Sequence, residues 1–225
     1  MKTEHYRLIE HYGPDAIIEA FESFITEQRK ERIDSVVSHR LDSIQLAIES
    51  PSDINNALAA VRTSEALGIS AIHIINPEND AGSMRRLTQG ANHWVNIYYH
   101  ESLDNFLIEL KKENRLLAGA IIGGPTTLSN VSIEKPICLL IGNEQRGLSE
   151  KARQACDTLY QIPMLGMSES LNLSVCAAIS LYDTTQRKRQ HLTKNNDLHP
   201  QQQKILKAAY YLNSVTQRLI DAALT

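Results

Sequence analysis

Apolar positions along this chain follow two alternating rhythms. Ile44, Leu46 and Ile48 recur every second residue, the period of a strand. Ala71 to Ile75, Trp94 to Tyr99, Leu116 to Gly124, Ile137 to Ile141 and Thr158 to Ile162 predict five more strands. Between them the period lengthens. Asp53 to Leu67 predicts a helix closed by Gly68, a residue that accepts the positive φ a helix end requires. Ser102 to Asn114 puts Leu103, Phe106, Leu107 and Leu110 on one helical stripe. Glu150 to Cys156 predicts a short helix, and Arg85 to Gly90 a short helix or turn. From Ser170 an apolar run through Leu171, Leu173, Val175, Ala177, Ala178 and Ile179 predicts a buried helix with Ser170, Asn172 and Ser174 in its first turn. Pro14 to about Arg40 is helical in pattern; His191 to Pro200 is a polar linker, and Gln201 to Leu224 a final amphipathic helix.

Strands alternating with helices predict an α/β domain built on a parallel, doubly wound sheet. Ligands in such sheets lie beyond the carboxyl ends of the strands. The loops there contain Gly123 and Gly124, then Gly142-Asn143-Glu144, then Pro163 to Gly166. No G-x-G-x-x-G follows the first strand and no G-x-x-x-x-G-K-[ST] occurs anywhere, so neither common phosphate-binding loop is present. The glycines lie late in the chain, in three loops after three different strands.

At 225 residues the chain has room for one full α/β domain with terminal additions. The expected division is a helical extension over 1–42, the α/β domain over 43–190, and a linker with a C-terminal helix over 191–225. No apolar run approaches the ~18 residues of a membrane span, and the N-terminus lacks the apolar core of a signal peptide, so a cytoplasmic protein is expected. Cys138, Cys156 and Cys176 have no metal-ligand spacing, and no metal is expected. The net charge of −3 runs against a nucleic-acid partner, but basic residues cluster at Arg29-Lys30-Arg32-His39-Arg40, at Arg85-Arg86 and at Arg187-Lys188-Arg189.

Three segments change the picture. Asn56-x-x-Ala59-x-x-Arg62, then Gly142-Asn143-Glu144-x-x-Gly147-Leu148-Ser149, then Ile162-Pro163-Met164-x-Gly166 with Ser170-Leu171-Asn172-x-Ser174-Val175, in that order, resemble the SpoU/TrmH family of the SPOUT superfamily. The resemblance spans roughly residues 28–190 and implies an S-adenosylmethionine-dependent RNA ribose 2′-O-methyltransferase. It further implies that the C-terminal third of the domain is tied into a trefoil knot, a topology otherwise nearly absent from proteins. Helices at both ends resemble the tRNA-directed branch, which methylates the D-loop guanosine at tRNA position 18; the ribosomal branch carries a further α/β domain for which about 40 residues leave no room. Wobble-position methylation of tRNA and a noncatalytic RNA-binding knot protein are the competing expectations. The family also implies a homodimer with two knots face to face.

Residue by residue, the resemblance makes Arg62 catalytic, with Asn56, Glu144, Ser170 and Asn172 as its partners on ribose and phosphate. Ala120, Gly142, Ile162 and Leu171 are the implied cofactor contacts; Ala120 stands where the family often has threonine, so only its backbone is expected to serve. The family picture casts Arg62 as a base, but a guanidinium with a pKa above ~12 favours a phosphate clamp that stabilises developing alkoxide charge. Asn56 lies about 120° around the helix from Arg62, off its stripe. Glu144, as an acceptor at a strand end, is expected to hold either Arg62 or a ribose hydroxyl.

Overall fold

The computed structural model describes residues 4–76 and 94–224. The predicted Arg85–Gly90 element and the Arg85-Arg86 pair lie outside them. The chain divides into two compact units, Leu41–Lys194 and a second formed by the residues up to Arg40 together with those from Asn195 onward.

In the first unit seven strands form one sheet: β1 (Ile44–Glu49), β2 (Ala71–Ile75), β3 (Asn96–His100), β4 (Leu116–Ala120), β5 (Thr126–Thr127), β6 (Ile137–Ile141) and β7 (Thr158–Gln161). Their order is β3-β2-β1-β6-β4-β7-β5, and every pairing is parallel. The sheet is flanked by α4 (Ile54–Ala66), α5 (Leu103–Lys112), α6 (Glu150–Ala155) and α7 (Leu173–Leu192). One face packs Leu46, Ile48, Ile72 and Leu139 against Ala57, Ala60 and Val61 of α4 and Leu173, Ala177 and Leu181 of α7. The other packs Ala47, Ile75, Cys138 and Leu140 against Phe106 and Leu110 of α5 and Ala152 of α6. Coverage on both faces explains why every residue of β1, β2 and β6 is buried. β6 comes late in the chain yet lies between β1 and β4, with Ile48 opposite Ile141. That insertion sets the loop after β6 beside the loop after β1.

The few polar side chains buried in these strands are partnered. Gln45 donates through Nε2 to Glu113 at 3.1 Å, which leaves its Oε1 to accept from His73 Nε2 at 3.0 Å. The other ring nitrogen of His73 then accepts from His100 at 2.9 Å. Burial, followed by the charges of His100 and Arg115, pushes the His73 pKa down to about 3 from its ordinary 6.5. A base with a depressed folded pKa stays neutral in the native state while the unfolded chain takes up a proton below pH 6.5. Stability therefore falls as pH drops through the window from 6.5 towards 3, at a limiting slope of about 1.4 kcal/mol per unit from this group alone. Urea denaturation at pH 6.5 and 4.5 checks this, and His73→Gln is expected to flatten the decline.

The second unit contains α1 (Glu4–Tyr12), α2 (Pro14–Glu22), α3 (Glu27–Val37), α8 (Pro200–Leu212) and α9 (Gln217–Ala223). α8 packs on α1, α2 and α3, burying Leu206, Tyr210 and Tyr211 with Ile17, Phe21 and Ile33. Local chemistry divides what the pattern alone joins. The helix predicted from Pro14 to Arg40 is two helices, because Thr26 accepts from the Arg29 N–H and starts a new one. α1 is an additional helix, separated by Gly13 at φ 85 followed by Pro14. The helix predicted from Gln201 to Leu224 also breaks, after Asn213. The linker is shorter than expected, since α7 continues to Leu192 and His199 caps α8 in a reciprocal pair with Gln202.

Candidate active site

Parallel strands deliver the loops after β4, β6 and β7 to the same edge of the sheet, where they enclose a cleft of about 720 Å³. Ala120, Gly142, Ile162 and Leu171 all line it, together with Glu144, Ser170, Leu173 and Cys176. The glycines are demanded by backbone proximity. A Cβ on Gly142 would fall well inside van der Waals contact of the Gly147 carbonyl carbon and the Leu148 nitrogen, and one on Gly124 would lie 2.7 Å from the Tyr160 carbonyl carbon. Main chain thus packs closely at the strand ends that border the cleft, where Ile121, Ile162 and Leu171 add aliphatic side chains.

The loop after β6 is a tight, internally bonded turn. Asn143 and Gly147 exchange backbone hydrogen bonds at 3.1 and 2.9 Å, and Gly147 takes φ 66. The Asn143 side chain accepts from the N–H groups of Gln145 and Arg146 and donates to the Ser50 carbonyl at 2.7 Å. This turn aims Glu144 at the start of α4. Its carboxylate accepts from Ser52 N at 3.0 Å, Ser52 Oγ at 2.7 Å, Asp53 N at 3.3 Å and Asn56 Nδ2 at 3.1 Å. Burial by itself would raise the Glu144 pKa. The hydrogen bonds from Ser52 and Asn56, with one from its own backbone, outweigh burial and hold it at about 2.

Asn56 relays the contact onward. Its Oδ1 accepts from Asn172 Nδ2 at 2.9 Å, while Asn172 Oδ1 accepts from the Ser174 N–H at 2.8 Å and its hydroxyl at 2.7 Å. Asn172 is therefore the N-cap of α7, and the helix starts at Leu173. The expected start at Ser170 is corrected: with the cap at Asn172, Ser170 remains in the irregular segment, exposed and lining the cleft. Glu144, Asn56 and Asn172 form one continuous chain. Arg62 stands outside it, exposed on α4, and among the described residues it has no hydrogen bond or ion pair. Glu144 holds the first turn of α4 rather than Arg62.

The basic cluster expected at residues 187–189 turns inward. Arg187 donates to the carbonyls of Val131 and Leu128 and pairs with Asp183 at 2.8 Å. Lys188, 4% exposed, donates to the carbonyls of Ile133 and Glu134, and Arg189 to that of Leu67 at the end of α4. These cations donate to carbonyls in loops and at a helix end. In the cluster near the N-terminus, Lys30 pairs with Glu27 and Glu22, and Arg40 is fully buried.

The motifs contain Asn143 and Ser149 without giving either a role, and they omit Ser52 and Glu49, which also organise the site. Glu49, at the end of β1, is 6% exposed and accepts from the Ser149 N–H at 2.9 Å and hydroxyl at 2.6 Å. Only strand order, which spacing does not encode, brings these pairs together. A volume of this size lies within the ~300–1,000 Å³ of small-molecule sites. Among the described residues no group of His, Cys, Asp and Glu could hold a metal ion, and no helix is long and apolar enough to cross a membrane.

Comparison with known proteins agrees with this architecture. The chain is 33% identical over 165 residues to a tRNA (guanosine(18)-2'-O)-methyltransferase of Thermus thermophilus, covering 73% of this chain and 84% of that one. The crystal structure of a TrmH/SpoU tRNA modifying enzyme from A. aeolicus superimposes with a TM-score of 0.71 at 28% identity, over 84% of this chain and 98% of that one. An AdoMet-bound rRNA methyltransferase from Sinorhizobium meliloti superimposes with a TM-score of 0.58 at 25% identity, over 71% and 60%. Residues 43–182 match the SpoU rRNA Methylase family, and with the sheet order, the cleft and the Glu144–Asn56–Asn172 chain on one edge, the protein belongs to that family.

Proposed function

We propose that this protein methylates the ribose 2′-hydroxyl of guanosine 18 in tRNA, using S-adenosylmethionine held in the cleft between the loops after β4, β6 and β7. The observation that carries the reading is an uncommitted arginine on α4, about 1.7 turns beyond an asparagine that is hydrogen-bonded to the cleft loop. The family and the tRNA-directed relative supply the substrate class. The bound cofactor supplies the methyl group. Gly142, Ala120 and the Ile162–Leu171 segment hold it through main-chain groups and aliphatic contacts. Arg62 clamps the phosphate beside the target ribose and stabilises the charge developing at its 2′-oxygen, while the hydroxyl proton passes to water as the methyl group is transferred. Ser170, at the cleft edge, offers a hydroxyl to the RNA. Nucleoside mass spectrometry of unmodified tRNA incubated with protein and S-adenosylmethionine tests the reading: 2′-O-methylguanosine at position 18 is expected, and its absence with cofactor bound would reject it.

The knot and the dimer belong to the same proposal. The position of β6 between β1 and β4 is the observation that supports a knotted C-terminal third. Val175, Ile179 and Tyr182 leave 43%, 38% and 61% of their surface exposed on one side of α7, and a second copy is the proposed cover. Sedimentation at micromolar concentration is expected to return twice the 25.2 kDa chain mass; a stable, active monomer contradicts this. A cytoplasmic location belongs to the same proposal.

A further inference from the structure

The loops after β1 and β6 hold each other by two matching grips. Glu49 ends β1 and takes both the N–H and the hydroxyl of Ser149, which caps α6 after the β6 loop. Glu144, in the β6 loop, takes both the N–H and the hydroxyl of Ser52, just before α4. Each carboxylate leaves one loop and closes on a serine in the other. The segment that joins the grips, Asn143 to Leu148, lines the cleft along all six of its residues. On the far side of Ser52 lies α4 with Arg62. Ser52 and Glu49 touch neither the cleft nor Arg62, yet they are the residues through which the cofactor-side loop and that helix are registered.

We propose that Ser52 and Glu49 are positioning residues for methyl transfer, Ser52 setting helix α4 and its Arg62 against the target ribose and Glu49 setting the β6 loop against the cofactor. This rests on the reading of the cleft and Arg62 given above. Ser52 acts through Glu144. Its hydroxyl is the nearest of the carboxylate's donors, and removing it leaves the Asn56 amide and two backbone N–H groups to hold a partly exposed charge. The α4 start then gains freedom where Asn56 meets Asn172. A displacement of this kind lowers the chemical rate, because alignment of clamp and oxygen matters most at the transition state. Glu49 acts on the other ligand, since the turn it anchors forms the cofactor wall.

The test uses the full-length protein. Ser52→Ala is expected to lower kcat on unmodified tRNA by on the order of 10- to 100-fold with the Kd for S-adenosylmethionine within about threefold. Ser52→Thr, which keeps the hydroxyl, restores the rate. In the tRNA-free protein, a carbon-detected carboxyl titration should find Glu144 moved up towards the ordinary carboxylate range in Ser52→Ala, with Asp53 as the neighbouring acid to be resolved from it. Glu49→Gln is expected to weaken S-adenosylmethionine binding by ~10-fold, the loss of one charge-assisted hydrogen bond. A wild-type rate in Ser52→Ala, an equal loss in Ser52→Thr, or an unmoved Glu144 titration overturns the role of Ser52. Unchanged cofactor affinity in Glu49→Gln overturns that of Glu49. If the wild-type protein methylates no tRNA, the substrate reading fails by itself, while the Glu144 titration and cofactor affinities still decide the inference.

Discussion

Replacing Arg62 with alanine is expected to lower kcat for tRNA methylation by on the order of 10²- to 10³-fold while leaving the Kd for S-adenosylmethionine within about threefold. The guanidinium lies on α4, outside the cleft lining, and no described residue engages it. Its removal therefore leaves the cofactor wall intact and leaves no buried partner unsatisfied, so the melting temperature should hardly change. Under the proposed function, what is lost is a clamp whose contact strengthens as charge develops on the ribose oxygen. Arg62→Lys is expected to be nearly as damaging, because a point charge cannot grip phosphate through two parallel N–H donors. Single-turnover kinetics with calorimetry of cofactor binding separates the two effects. Near-wild-type turnover in Arg62→Ala would remove the catalytic assignment.

Gly142→Ala is expected to act on the other half of the reaction, raising the Kd for S-adenosylmethionine by at least ~10-fold and destabilising the fold by about 1–3 kcal/mol. The added methyl would strike the Gly147 carbonyl carbon and Leu148 nitrogen, both main chain. Neither can swing away as a side-chain end could, since the turn is closed by the paired Asn143–Gly147 hydrogen bonds and anchored by Ser149 on Glu49. The cleft wall must open or the strand end must shift. Gly166→Ala is the contrasting substitution: nothing lies within 4 Å of its Cβ position, so the melting temperature should stay as it is. Thermal melts and calorimetry on the two variants check the pair, and equal behaviour would contradict the steric argument.

Much of the α/β unit was legible because its strands are buried on both faces. Ile137–Ile141 and Ala71–Ile75 are apolar runs that no exposed strand would carry, and Gly68 marks the end of α4 by its positive φ. The order of those strands was not legible. Nothing local to residues 137–141 records that they fill the slot between β1 and β4, because that choice is made by crossovers far along the chain. The contact of Ser52 with Glu144 spans 92 positions and follows only from that order. Helix ends were blurred for a different reason. An apolar run shows where a helix could pack, but the cap is decided by one side chain, so the helix expected from Ser170 begins after Asn172, whose amide takes the Ser174 N–H. The motif residues were visible one by one. That Asn56 bridges Glu144 to Asn172 instead of reaching Arg62 required three-dimensional neighbours.

The inward turn of Arg187, Lys188 and Arg189 bears on how this protein should respond to salt. Each phosphate neutralised by a protein cation releases condensed counterions, and the steepness of log K against log salt counts those phosphates. Three charges at the end of α7 are engaged with the carbonyls of Leu128, Val131, Ile133, Glu134 and Leu67, so they release no counterions when RNA arrives. Under the proposed function, a tally of lysines and arginines thus overstates the ionic part of RNA affinity, and the salt slope is expected to be shallower than that tally gives.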